Sequence, residues 1–216
     1  MGTEKTPTLP GLLFVLSAPL GVGKRTLCQA LLDRHPEARL SISKTTRPKG
    51  PREAEGYDFY FISEPEFKKQ IDAGEFLEYV QIHGHAYGTP RTPIDENRAA
   101  GRDVILDVDT DGARKVKKAC PDALLVFISP ITVDALAARL KALDPHRPEL
   151  IPERLAHAQD EISRATEYDY VVLRDDLVEA AEDLSAILRA EHLRAARTVG
   201  GIKKLLKQPV PFPFPH

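Results

Sequence analysis

Cysteine is scarce in this chain: Cys28 and Cys120 are the only two among 216 residues, far apart and in no CxxC pair. A disulfide framework or a zinc ribbon is excluded, and a reducing compartment fits. Both cysteines sit in stretches of helical apolar spacing, where buried packing is the expectation. An excess of charge is also lacking. Thirty Lys and Arg stand against 32 Asp and Glu, a net charge of −2, which argues against a nucleic-acid binder. No run reaches the roughly 18 apolar residues of a membrane span. Residues 1–10 lack the apolar stretch of a signal peptide. The expectation is a cytoplasmic protein with no nucleic-acid or membrane partner; a protein partner cannot be read.

Hydrophobic residues make up 42% and charged residues 29%, ordinary values for a globular chain long enough for one α/β domain. Residues 12–17 (LLFVLS) form a continuous apolar run, as a strand buried on both faces requires. A turn-rich loop, APLGVG at 18–23, follows. Residues 24–33 then place Leu27, Ala30 and Leu31 at helical spacing. Strand–helix pairs are predicted again at 103–107 with 112–120 and at 123–129 with 132–141. A last strand at 170–173 precedes a helix over about 177–197. Strands alternating with helices imply a parallel sheet covered on both faces.

Residues 45–102 differ, with Gly, Pro, Tyr and short alternating stretches at 57–62 and 76–82. They read as a small, mostly antiparallel insertion able to move as a unit. Residues 142–151 carry two prolines, with a third at 152, and read as a loop or lid. Residues 1–10 are expected to be flexible and the Pro-rich tail 198–216 mobile. The core is thus assigned to 11–44 and 103–197.

A strand, a glycine loop and a helix opening at Lys24 form the context of a phosphate-binding loop. Glycines let backbone N–H groups curl around a phosphate, the helix N-terminus adds partial positive charge, and Lys24 adds a full one. Ala18, Gly21, Val22, Gly23, Lys24, Arg25 and Thr26 are the candidate ATP-binding residues. The pattern GxxxxGK[ST] is not met strictly. Ala18 replaces its first glycine, and Arg25 stands where a hydroxyl would hold magnesium. Thr26, one residue on, can take part of that role.

The following motifs point to a family. SISKTTR spans 41–47, followed by Glu53, Gly56 and Asp58, FLEY at 76–79, HGHAYGTP at 83–90, ILDVDTDGAR at 105–114 and YDYVVLRDDL at 168–177. In this order, over about residues 12–197, the chain resembles guanylate kinase. The resemblance implies a P-loop three-layer α/β fold with a central parallel sheet, a nucleoside-monophosphate-binding insertion and a lid. It implies transfer of the γ-phosphoryl group of ATP to GMP, giving ADP and GDP, with Mg²⁺ accompanying ATP. Glu78 and Asp107 would read guanine, whose N1–H and amino group are donors, with Ser43 and Thr89 contacting the base. Arg47 and Tyr87 would hold the acceptor phosphate, and Lys24, Arg139 and Arg154 would act in transfer. His83 and His85 flank a glycine without further ligands and read as loop histidines.

The chain departs from the family pattern at several positions. Gly50 stands for a second phosphate-binding arginine and Phe59 for a phosphate-binding tyrosine. Leu20 and Arg25 replace serines of the phosphate loop, Leu143 replaces a lid arginine, Arg174 an asparagine and Asp111 a glutamine. Two functions are therefore carried forward: an ATP:GMP phosphotransferase, and a guanylate-kinase-like module that binds nucleotide or protein.

Overall fold

Leu13–Ser17 forms β1, buried along its whole length, and the rest of the core is laid around it. The computed structural model describes residues 9–82 and 84–198; the expectations for residues 1–8, His83 and the tail beyond 198 lie outside these. After β1 come α1 (Lys24–Arg34), β2 (Arg39–Leu40), β3 (Lys44–Thr45), β4 (Tyr60–Phe61) and α2 (Glu64–Asp72). The chain continues through β5 (Phe76–Ile82), β6 (His85–Pro90), α3 (Arg91–Ala99), β7 (Val104–Asp107) and α4 (Thr110–Ala119). It ends with β8 (Leu124–Ser129), α5 (Val133–Leu143), α6 (Ile151–Ser163), β9 (Tyr170–Leu173) and α7 (Leu177–His192).

Five strands make a sheet in the order β2-β7-β1-β8-β9, every pair parallel. Side chains alternate across β1, and the two core clusters follow that alternation. Phe14 and Leu16 pack with Leu27 and Leu31 of α1, Leu136 and Leu140 of α5, and Leu184 and Leu188 of α7. Leu13 and Val15 pack on the other face with Ile94 of α3 and Ala113 and Val116 of α4. These are the three layers expected of the continuous apolar run.

Residues 44–90 carry a second sheet, ordered β4-β3-β6-β5. Its β3–β6 and β5–β6 pairs are antiparallel and β3–β4 is parallel, so the mostly antiparallel reading of the insertion stands. Two helices, α2 and α3, were not foreseen there. α2 starts on Ser63, whose hydroxyl accepts from Glu66 N at 3.3 Å with Pro65 in the first turn, a capping signal within a stretch read as strand-rich.

Other boundaries moved. The strand expected over 57–62 is only two residues long, because Tyr57 and Asp58 lie in a turn closed onto the Ala54 carbonyl. The last helix stops at His192 instead of about 197. Cys120 is not inside a helix but at the end of α4, half-buried, whereas Cys28 is buried in α1. The loop over 142–151 is shorter than expected: α5 runs to Leu143, and a 3₁₀ turn, Pro148–Leu150, leads directly into α6. Among the described residues no helix is long and apolar enough to cross a membrane.

Candidate active site

The phosphate loop leaves the end of the central strand, the position where open α/β sheets bind ligands. Gly21 and Gly23 have φ of 93° and 91°, the left-handed region that a side chain disfavours. A Cβ on Gly23 would come 3.3 Å from Leu177 and one on Gly21 3.2 Å from Leu140. Gly23 caps α1 without a side chain of its own, leaving the first N–H groups of the helix available to an anion. Ala18 and Val22 are buried beneath the loop.

Lys24 folds back over the sheet. Its Nζ donates to the Val108 carbonyl at 2.7 Å and pairs with Asp107 Oδ1 at 2.9 Å. Two residues named for opposite substrates are therefore in contact. Behind them, Cys28 is inert: burial, reinforced by Asp107, pushes its thiol up to about 12.

Arg25 departs from its expected place. Its Nη2 reaches across to the insertion and donates to the Tyr57 carbonyl at 2.9 Å and to Asp58 Oδ1 at 3.3 Å. Its guanidinium lies 5.2 Å from the centre of the Tyr57 ring. The substitution thus adds a tether between α1 and the insertion and leaves the loop clear. Thr26 is exposed on the first turn of α1.

Glu78 owes its position to a bulge. The β5–β6 register slips between Phe76 and Glu78, so that Phe76, Leu77 and Glu78 are buried in succession where alternation would have exposed one. Glu78 then pairs directly with Thr89 across the ladder, and Thr89 Oγ1 donates to Glu78 Oε1 at 2.5 Å. Glu78 is 7% exposed, and its Oε2 has no partner. Burial raises the carboxyl above its ordinary range, against the lowering effect of Thr89. A buried carboxylate oxygen left open is set to accept a donor. Asp107 stands at the end of β7, and the half-buried Ser43 just before β3. Asp109 is occupied otherwise: Oδ1 caps α4 by accepting from Gly112 N at 2.6 Å.

Arg47 is held on every side. Nη1 and Nη2 engage Glu53 at 2.9 and 2.6 Å, and Nε donates to the Tyr87 hydroxyl at 3.2 Å. The rings of Phe59 and Phe61 lie 5.6 and 5.7 Å from its guanidinium. Phe59 also meets Tyr87 edge-on, with centroids 5.8 Å apart. The ring kept at 59 lies against the guanidinium and helps to orient it. Glu53 explains Gly50 as well. Its Oε2 accepts from Gly50 N at 2.7 Å, and a Cβ at position 50 would stand 2.8 Å from the same oxygen. The Arg47 fork holds the Glu53 carboxyl down at about 2.

The remaining cations lie on α5 and α6. Arg139 pairs with Asp175, and its Nη1 is buried without a partner. Arg154 Nη2 donates to Asp144 Oδ2 at 2.9 Å, and its Nη1 is likewise buried and unpartnered. Leu143 is 59% exposed, and Arg174 is spent on Asp183 at 2.6 Å. Asp111 pairs with Arg164. Sequence reasoning quoted Glu53 only as part of a motif and passed over Asp144, Glu161 and Arg164. Each is a lone charged residue without local pattern, and only its partner (Arg154 and Arg147 for Asp144, His157 for Glu161, Asp111 for Arg164) gives it a place.

No three His, Cys, Asp or Glu side chains gather into a metal cage among the described residues. A magnesium ion takes one or two protein oxygens and completes its shell from phosphates and water. The exposed Thr26 hydroxyl, on a loop that Arg25 leaves clear, is a suitable donor.

Comparison with known proteins agrees with this geometry. The family model described as guanylate kinase matches residues 11–191. A guanylate kinase of Symbiobacterium thermophilum is 48% identical over 87% of this chain and 89% of its own length. One of Rhodopseudomonas palustris is 44% identical over 88% of this chain and 87% of its own. The crystal structure of guanylate kinase from Anaplasma phagocytophilum superposes with a TM-score of 0.77 at 32% identity, covering 96% of this chain and 99% of that one.

Proposed function

The chain belongs to the guanylate kinase family, and on that premise we propose how its residues serve transfer of the γ-phosphoryl group of ATP to GMP. A phosphate oxygen of GMP forms the new P–O bond as the bond from γ-phosphorus to the β–γ bridging oxygen breaks, leaving GDP and ADP. Such transfer needs positioning and positive charge more than covalent chemistry. The observation that carries the reading is Glu78: a buried carboxylate, oriented by Thr89, with one oxygen open near Gly112 at the start of α4. Guanine offers two adjacent donors to Glu78 and Asp107, with Ser43 and Thr89 completing the base contacts. A base lacking those donors would leave the carboxylates unpaired, which rejects it strongly.

Arg47, locked by Glu53 and Phe59, presents the acceptor phosphate with a preset guanidinium, assisted by Tyr87. Lys24 leaves Asp107 to neutralise the ATP phosphates, which the N–H groups of residues 21–26 cradle. Arg139 and Arg154, each with an unused buried N–H group, approach the moving phosphoryl group. Mg²⁺, held by the ATP phosphates and Thr26, would supply further charge neutralisation there. Closure of the insertion, 45–102, and of the lid, about 142–151, excludes water that would otherwise accept the phosphoryl group. A reducing cytoplasm suits the two unpaired cysteines.

A coupled assay of ADP formation with GMP and MgATP, run beside AMP, dGMP and IMP, tests this reading. Turnover of roughly 1–100 per second with GMP preferred is the expected result. No turnover with any acceptor from folded protein would leave only a nucleotide-binding module, which no observation here favours.

A further inference from the structure

One lid residue lies outside the roles assigned so far. Arg147, in the turn between α5 and α6, places its Nη2 2.8 Å from Asp144 Oδ2. The same oxygen accepts from Arg154 at 2.9 Å. Asp144 is 15% exposed at its side chain, and its carboxyl is held below the usual range, chiefly by Arg154 and then by Arg147. One carboxylate thus gathers two guanidiniums, and one positive charge is left over.

Both arginines open on the same cavity of about 450 Å³. Leu20 of the phosphate loop also lines it, together with Leu150, Glu153, His157 and Glu161. Leu143, standing where the resembled pattern has its lid arginine, does not line this cavity. The buried Nη1 of Arg154 is an unsatisfied donor. An unsatisfied buried guanidinium N–H beside a second guanidinium, in a cavity that a phosphate-loop residue also lines, is an arrangement that calls for a polyanion.

Resting on the kinase reading above, we propose that Arg147 is a phosphate-binding residue of the ATP side, replacing at a new position the cation lost at Leu143, and that Asp144 is the positioning residue that aligns it with Arg154. With nucleotide in the cavity, Arg147 turns an N–H edge to a terminal phosphate oxygen while Asp144 keeps the fork in register. The 3₁₀ turn that begins at Pro148 restricts the backbone directly after Arg147, so its reach is set by the lid and not by a free loop.

The test compares Arg147→Ala, Arg147→Lys, Asp144→Asn and Leu143→Ala with the unchanged full-length chain. It reads kcat, the KM values for ATP and GMP, and calorimetric affinity for a non-hydrolysable ATP analogue with Mg²⁺. Arg147→Ala should lose about 100-fold in kcat, less than the roughly 10³–10⁵ of a lone transfer-site arginine because Arg139 and Arg154 remain. It should also lose at least fivefold in analogue affinity, with KM for GMP within twofold. Arg147→Lys should recover part of both, and Asp144→Asn should fall between. Leu143→Ala should match the unchanged chain. Arg147 is 61% exposed at its side chain, so melting temperature should not move. Arg147→Ala within twofold of the unchanged chain in both kcat and analogue affinity would overturn the proposal. If the unchanged chain itself fails to turn over GMP, the kinase reading fails, and the analogue affinity of Arg147→Ala still decides the Arg147 site.

Discussion

Lys24 and Asp107 form an ion pair of 2.9 Å, joining the cation of the phosphate loop to the carboxylate at the end of β7. The side chains proposed to serve the two substrates are therefore in contact before either arrives. On the proposed roles, loading ATP would draw Lys24 away and free the Asp107 carboxylate for guanine, and loading GMP would engage Asp107 and loosen Lys24.

Lys24→Ala should lower kcat by at least 100- to 1,000-fold, roughly the loss when one transition-state donor is removed. GMP affinity should change by less than about tenfold, since Glu78 and Arg47 are untouched. Asp107→Asn should do the reverse, weakening GMP by about 10- to 100-fold, the equivalent of one charged hydrogen bond. Single-turnover kinetics and calorimetry on both variants check this. Equal loss of GMP affinity in the two would show that Lys24 also holds the acceptor.

Glu78 should make GMP binding depend on pH. Its folded carboxyl is raised above 4.5 by burial. Its contribution to stability is therefore full below that value and is lost as pH rises through the higher folded value. Guanine donors favour the charged form, so GMP binding should release a proton between those two limits. Calorimetry in two buffers of different ionisation heat, over a pH series rising from 4.5, should give unequal apparent enthalpies. Equal enthalpies would mean that Oε2 does not meet the base. Glu78→Gln should abolish the effect and raise the melting temperature of the free protein by about 2–4 °C at neutral pH.

Arg25→Ser restores a hydroxyl at the place where the resembled family binds metal. Because Arg25 already points to Tyr57 and Asp58, the Mg²⁺ concentration giving half-maximal rate should stay within about threefold. The KM for GMP should rise by a few-fold as the tether to the insertion is cut, an exposed charge pair being worth up to about 1 kcal/mol. A large drop in the Mg²⁺ requirement would instead show that the arginine competes with the metal.

Glu53→Gln removes half of the fork that locks Arg47. GMP should bind about tenfold more weakly, the worth of one charged hydrogen bond, while ATP binding is unchanged. The same change should flatten the acid limb of the stability profile. Glu53 has its folded carboxyl at about 2 against an ordinary 4.5. Its stabilisation is present above the upper value and lost as pH falls toward the lower one. Denaturant titrations over that range compare the two proteins, and parallel curves would mean that the pair adds nothing to stability.

Much of the site was legible in the chain itself. The apolar run at 12–17 could be satisfied only by a strand covered on both faces, and it is so covered. Gly21, Gly23 and Lys24 sit at the junction of strand and helix because left-handed φ and an N-terminal anion site demand those residue types. Glu78 and Thr89 were legible as a base-reading pair only through the resemblance. Alternation along β5 says nothing of a bulge, and without the bulge Glu78 would not face Thr89.

Periodicity reports which face a side chain occupies, and the chemistry of glycine and lysine reports what a loop can bind. Those local rules determined the layers, the phosphate loop and the order of the motifs. The partners of the arginines were decided only in three dimensions. Arg25 chose Asp58, 33 residues away, over a metal position. Arg47 was claimed by Glu53, Arg154 and Arg147 by one Asp144, and Lys24 by the end of a strand 84 residues on. A long, flexible cation takes whichever carboxylate the fold brings within about 3 Å, and that distance is set by the packing of distant segments.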